Sequence, residues 1–253
     1  MGSSARAMAG VDMQSAVTPS TALTTGSTGT PFMASRRMTV LGGLGVDPPA
    51  RLSVPGRRAL AYLAVAGGTV GRGLMSAQLW PDLSDAQARA NLRRALWQLP
   101  KGWIVPSGEE LVLEAEVDLA EAHRVGRRAL EGSRLSLPEV ELLSRDLLPG
   151  WYDEWVLAEQ DAYRLLRVQS LEMACRSLTT AGDLAVAAQA GMLAVTAEPL
   201  RESAVVALVD AHLAAGNRYE AVCQYRAFAG RLQVELGLDP GVALMSRLEG
   251  IPR

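Results

Sequence analysis

Apolar and polar positions alternate with two different periods along this chain, and the change between them divides it. Residues Met1 to about Ser35 are rich in Ser, Thr, Gly and Ala and sustain neither period, which predicts a disordered tail. From Arg37 to Val54, short apolar runs (Met38-Thr39-Val40-Leu41, Leu44-Gly45-Val46, Arg51-Leu52-Ser53-Val54) are broken by Gly42-Gly43 and Asp47-Pro48-Pro49, so short strands and turns are expected. Arg57 to Ala66 places Leu60, Leu63 and Ala64 on one face and stops at Gly67-Gly68, the pattern of a first helix. Thr69 to Gly73 reads as a connection, and Leu74 to Trp80 as a brief second helix closed by Pro81. Asp82-Leu83-Ser84-Asp85 is a polar turn with Ser84 placed to cap a third helix.

That third helix carries the strongest pattern. With Leu92 as origin, Ala88, Ala95, Leu96 and Leu99 fall on one side, because residues three and four apart share a helical face. The other side holds Ala90, Arg93, Arg94, Trp97 and Lys101, flanked by Arg89, Asn91 and Gln98. Pro100 ends it. Trp103-Ile104-Val105 and Leu111-Val112-Leu113 then flank Pro106-Ser107-Gly108-Glu109-Glu110 as a hairpin. Strands, three helices and a closing hairpin over residues 36–115 describe a winged helix-turn-helix.

Beyond residue 115 the period is helical throughout. Helices are expected from Asp118 to Leu130, Pro138 to Leu148, and from the Trp151-Tyr152-Asp153-Glu154-Trp155 segment to about Thr180. Ala181-Gly182-Asp183 recurs as Ala215-Gly216-Asn217, and Ala187 as Ala221, a spacing of 34 that matches the tetratricopeptide repeat. Further helices are expected over Leu184–Thr196, Leu200–Ala214, Tyr219–Leu236 and after Pro240. The fold class is therefore mainly α with a small β component: an N-terminal winged helix-turn-helix followed by an all-α, tetratricopeptide-like domain over 116–253.

Charge sharpens this division. The whole chain carries a net −2, yet residues 31–115 hold 10 basic against 6 acidic residues (+4) and residues 116–253 hold 14 against 20 (−6). The front half suits a polyanion and the back half repels one. Arg forks match guanine O6 and N7, and Asn and Gln match adenine, so the exposed Arg, Asn and Gln set on the third helix is suitable chemistry for base-edge and phosphate contacts. Double-stranded DNA is the expected partner.

Other chemistries fit poorly. No apolar run approaches the roughly 18 residues of a membrane span, and Met1–Pro31 has no apolar signal-peptide segment, so a cytoplasmic, nucleoid-associated protein is expected. Cys175 and Cys223 lie in helical apolar patterns and read as two buried thiols, and His123 and His212 stand apart from other ligands, so no metal is expected. No Gly-Lys-Ser/Thr phosphate loop occurs, and Gly42-Gly43-Leu44-Gly45 has no helix directly after it, so no nucleotide cofactor is implied. Asp153, Glu154, Glu159 and Asp161 precede Arg164 and Arg167 at helical spacing and read as surface pairs rather than a catalytic dyad. No enzyme is expected. Trp151, Tyr152 and Trp155 read as rings packing their segment against the repeat helices.

The ordered set Arg58-Ala59-Leu60-Ala61-Tyr62-Leu63, Arg72, Leu79-Trp80-Pro81-Asp82 and Ala88 through Trp97 resembles the DNA-binding domain of the Streptomyces antibiotic regulatory protein family. Ala197-Glu198-Pro199-Leu200-Arg201-Glu202 and Glu235-Leu236-Gly237-Leu238-Asp239-Pro240 are similar to hallmarks of the bacterial transcriptional activation domain that accompanies it. The resemblance implies an activator that binds promoter direct repeats, as a homodimer or side by side. It also implies recruitment of RNA polymerase through the sigma factor or other subunits, usually for secondary-metabolite clusters. By the same resemblance Arg89, Asn91, Arg93, Arg94, Trp97 and Gln98 are the recognition-helix residues, Arg57, Arg58, Arg72 and Lys101 are phosphate clamps, and the turn Pro81, Asp82, Leu83, Ser84 and Asp85 faces polymerase. Three positions depart from the family pattern: Gly71 stands where a capping Ser is usual, Pro100 cuts the third helix short, and Glu109 and Glu110 give the hairpin tip charges that phosphates repel. The alternative is a tetratricopeptide-type interaction regulator with weak or no specific DNA binding.

Overall fold

The computed structural model describes residues 36–250, so the expectation of disorder over 1–35 lies outside the described residues. Strands β1 (Arg37–Thr39) and β2 (Gly45–Asp47) form an antiparallel pair around a turn in which Gly42 and Gly43 adopt φ of 76° and 140°. That left-handed backbone, which glycine adopts without steric cost, is the reason for the glycine run. The third strand of this sheet is β6 (Glu116–Val117), which pairs with β1 in parallel. The expected strand at Arg51–Val54 does not form. Ser53 instead caps α1 (Val54–Ala66), its Oγ accepting from Gly56 N at 3.3 Å, with Pro55 in the first turn where its missing N–H costs nothing.

Thr69–Gly71 is not a plain connection but strand β3, paired with β5 (Glu110–Leu113), which in turn pairs with β4 (Ile104–Ser107). Three residues are too few to show a period, and only their partner identifies them. Pro106 lies in β4 at the edge of the sheet, where it interrupts no central ladder. Between the strands stand α2 (Arg72–Leu79) and α3 (Asp85–Trp97), packed with α1 around Ala59, Leu63, Val70, Met75, Leu79, Leu92 and Leu111.

The second half begins with α4 (Asp118–Leu130) and α5 (Leu137–Leu143). The latter ends five residues before the expected Leu148, because the chain turns to bridge Leu147 to Leu41. Then come α6 (Glu154–Ala181), α7 (Leu184–Ala197), α8 (Glu202–Ala214), α9 (Arg218–Leu236) and α10 (Val242–Ser246). The 34-residue repeat is visible in the hydrogen bonds themselves. Asp183 N donates to Leu178 O at 3.0 Å and Asn217 N to His212 O at 2.8 Å, around Gly182 and Gly216 at φ of 81° and 77°. At Gly191 three helices approach so closely that a Cβ would stand 2.9 Å from Cys175 Sγ and 3.1 Å from Leu208 Cβ. Cys175 is buried as expected, but Cys223 is only half-buried.

One apolar core runs from Met38, Val40 and Leu41 through Leu60, Ala61 and Trp103 of the winged helix to Val125, Leu171 and Ala207 of the helical half. Where β1 ends, Val40 N and Leu41 N donate to the two carboxylate oxygens of Asp118 at 2.9 and 3.2 Å, in the first turn of α4. Asp118→Ala strands two backbone donors, each of which costs about 1–3 kcal/mol when buried without a partner. We expect a lower urea midpoint with an unchanged m-value; an unchanged midpoint would contradict the role of this tie.

Candidate nucleic-acid interface

The third helix is set in place from both ends. Gln87 Oε1 accepts from Ser84 N at 3.3 Å and from Ser84 Oγ at 2.9 Å, a capping box of the kind that the Ser-x-x-Gln spacing encodes. Ala88, Leu92 and Ala95 are buried against the helix-turn-helix core, and Leu96 and Leu99 are half-buried. A Cβ at Gly56 would stand 3.0 Å from the Leu99 side chain, so α1 seats the far end of the helix closely.

The outward side is polar. Arg89, Arg93, Arg94, Gln98 and Lys101 are exposed, Asn91 is half-buried, and Trp97 is 85% exposed. An indole so open on a monomer has no packing role and is available to a partner. Arg89 leans toward α2: its guanidinium is 3.4 Å from where a Cβ on Gly73 would stand, beside half-buried Arg72. At the other end the Arg36 guanidinium lies over Gly102, next to Lys101, so close that a Cβ there would collide with it. Sequence reasoning missed Arg36, because only the fold brings residue 36 to residue 102.

The arginines of α1 go elsewhere. Arg58, expected to clamp phosphate, forms an ion pair with Asp153, both side chains about three-quarters covered, and its guanidinium carbon stands 6.0 Å from the Trp80 ring centroid. Arg57 and Arg58 line a groove of about 300 Å³ with Trp151, Tyr152 and Asp153. Asp153 is thus a tie between the halves and not one of the expected local surface pairs, and Arg167 pairs with Asp146 instead of the α6 acids. Arg164 does pair locally with Asp161 at 3.4 Å, and also with Glu198 at 2.8 Å.

The aromatic segment differs from expectation in the same direction. Trp155 meets Tyr62 of α1 edge-on, centroids 5.0 Å apart, and Trp151 meets Trp155 at 6.4 Å, so the rings pack toward the winged helix, while Tyr152 is 82% exposed. Helical periodicity shows that α6 has an apolar face but not which neighbour covers it.

The turn between α2 and α3 is tight, with Leu83 N donating to Trp80 O at 3.3 Å, and Pro81, Asp82, Leu83, Ser84 and Asp85 are all exposed. At the wing, Arg72 N donates to Glu109 O at 2.9 Å, which leaves the carboxylates of Glu109 and Glu110 in solvent at the tip. Among the described residues no group of His, Cys, Asp and Glu is arranged to hold a metal ion, and no helix is long and apolar enough to cross a membrane.

A winged helix with an exposed basic third helix, joined to stacked helical repeats, is the architecture of a transcriptional regulator. Residues 109–251 match the bacterial transcriptional activator domain. The chain belongs to that family. Among solved structures it is similar to Mycobacterium tuberculosis EmbR, seen in complex with a low-affinity phosphopeptide, with a TM-score of 0.59 and 21% identity over 84% of this chain. It spans 63% of the length of that EmbR chain. No curated protein sequence matches it.

Ser84→Ala removes the cap that starts α3, and we expect a loss of about 1 kcal/mol in urea unfolding. Gln87→Ala acts on the same box, so the double variant should lose less than the sum of the two single effects; full additivity would show that the two side chains act independently.

Proposed function

We propose that the chain is a sequence-specific DNA-binding transcriptional activator, in which α3 enters the major groove and reads base edges through Arg89, Asn91, Arg93, Arg94, Trp97 and Gln98. The observation that carries this reading is the row of Arg93, Arg94 and Trp97, exposed on the side of α3 opposite buried Ala88, Leu92 and Ala95. A helix whose apolar face is fully used and whose cap fixes its start presents those groups rigidly, as direct readout requires. Arg72, Lys101, Arg36 and the exposed Arg57 supply phosphate contacts. Arg58 is left out of that set because Asp153 and Trp80 hold it. The acidic wing tip stays off the backbone, which concentrates DNA contact on α3 and its flanks.

In this reading copies of the chain bind side by side on promoter direct repeats, and the open turn Pro81–Asp85 offers Asp82 and Asp85 to a basic surface of RNA polymerase, through the sigma factor or another subunit. The regulated genes belong to a secondary-metabolite cluster, and the protein works at the nucleoid.

Fluorescence anisotropy on the DNA upstream of its own gene tests the core of the reading. Loss of one bidentate base contact costs about 1–3 kcal/mol, so Arg93→Ala with Arg94→Ala should abolish specific binding at physiological salt. The logarithm of affinity should fall with log salt at a slope of about −0.9 per phosphate neutralised. Arg58→Ala should leave that slope unchanged while lowering stability. Weak binding, indifferent to sequence and to the paired substitution, would leave the interaction-regulator reading in its place.

A further inference from the structure

Of the five tryptophans in the chain, four have a visible place in the fold. Trp103 lies in the core at 2% exposure, Trp80 stands beside the Arg58 guanidinium, and Trp151 and Trp155 meet edge-on. Trp97 is the exception. Its ring is 85% exposed, and among the described residues its side chain meets no other ring, no cation and no hydrogen-bond partner.

Helical geometry says what surrounds it. At about 100° per residue, Ala90 and Ala86, seven and eleven positions back on α3, lie within about 20° of Trp97 around the helix axis. Arg93 lies about 40° to one side and Arg94 about 60° to the other. The middle of the outward face is therefore an apolar line, from exposed Ala86 through half-buried Ala90 to Trp97, with a guanidinium on each side. Neither Arg93 nor Arg94 has an ion-pair partner among the described residues. Two alanines keep that line low, so the helix can lie close to a surface, and the indole is the one large group on it.

The two free guanidinium groups match a polyanion, and the apolar line between them selects what part of it is met. In the major groove the base-pair edges present hydrogen-bonding groups, and their one apolar feature is the C5 methyl of thymine. An indole has no acceptor and a single N–H donor. Laid on a G·C edge, it would strip water from polar groups for at most one hydrogen bond. Laid on thymine, it covers a methyl group instead.

We propose that Trp97 sets a thymine preference in the operator, packing its ring on the C5 methyl while Arg93 and Arg94 take the polar edges and phosphates on either side. This deepens the activator reading and rests on it, since α3 must lie in the major groove.

Uracil interference on the DNA upstream of its own gene tests the contact, because deoxyuridine differs from thymidine by that methyl alone. Affinities of the thymine and uracil forms are compared as a ratio at low salt, where phosphate contacts hold the complex of parent and variant alike. For the parent chain, uracil at one thymine or more within the bound site should weaken binding about fourfold, the effect of leaving one methyl unburied. Trp97→Ala should bind both forms equally at that position. Its melting temperature should match that of the parent, because the ring it removes packs on nothing. The inference is overturned if the parent binds specifically, and loses that binding on the paired Arg93 and Arg94 substitution, yet no uracil interferes. It is equally overturned if the interference survives in Trp97→Ala. Absence of any specific binding by the parent overturns the activator reading and this inference with it.

Discussion

The junction between the winged helix and the helical half turns on one half-buried carboxylate, that of Asp118. Beyond Thr39 the chain leaves its sheet and bridges to Leu147, and the backbone donors of Val40 and Leu41 bond to a side chain in place of a strand. Asp118 accepts from both, and it does so at the start of α4, where the helix dipole favours negative charge. Burial nevertheless raises its carboxyl above the ordinary aspartate range, against the pull of those hydrogen bonds and of Arg145. Without that carboxylate the two backbone amides would be left without their acceptor.

Around that tie the junction is built from different kinds of contact. Apolar residues of β1, α1, α4 and α6 share one core, Tyr62 meets Trp155, and Arg58 meets Asp153. Two domains joined by a flexible linker would show none of this. The winged helix contributes its own small core around Leu63, Met75 and Leu92 and takes further burial from the helical half. A domain of such size gains much from a shared interior, because small folds bury a smaller fraction of their surface.

The parts legible in the sequence are those encoded locally. The Ser84 cap, the apolar stripe through Leu92 and the Gly182 and Gly216 repeat each sit within a few turns of chain, and the structure has each of them. Pairing between distant segments was hidden. Thr69–Gly71 becomes a strand only because residues 110–112 lie beside it, and Trp155 turns toward α1 only because Tyr62 is there. Arg58 illustrates the same limit. Its position in a family motif suggested DNA, but a carboxylate 95 residues away holds it. A periodicity argument assigns a face and says nothing of what will cover it.

The close meeting of helices at Gly191 has a consequence for chemistry at the neighbouring sulfur. Cys175 lies against Gly191 and donates to Ala207 O at 3.3 Å, and burial pushes its thiol up to about 12. Because the thiolate is the nucleophile, this sulfur is inert while α6, α7 and α8 stay together. An alkylating reagent reaches it only in the moments when those helices part, so its labelling rate becomes a clock for breathing of the repeat layer. Half-buried Cys223, on α9, supplies the faster hand against which that clock is read.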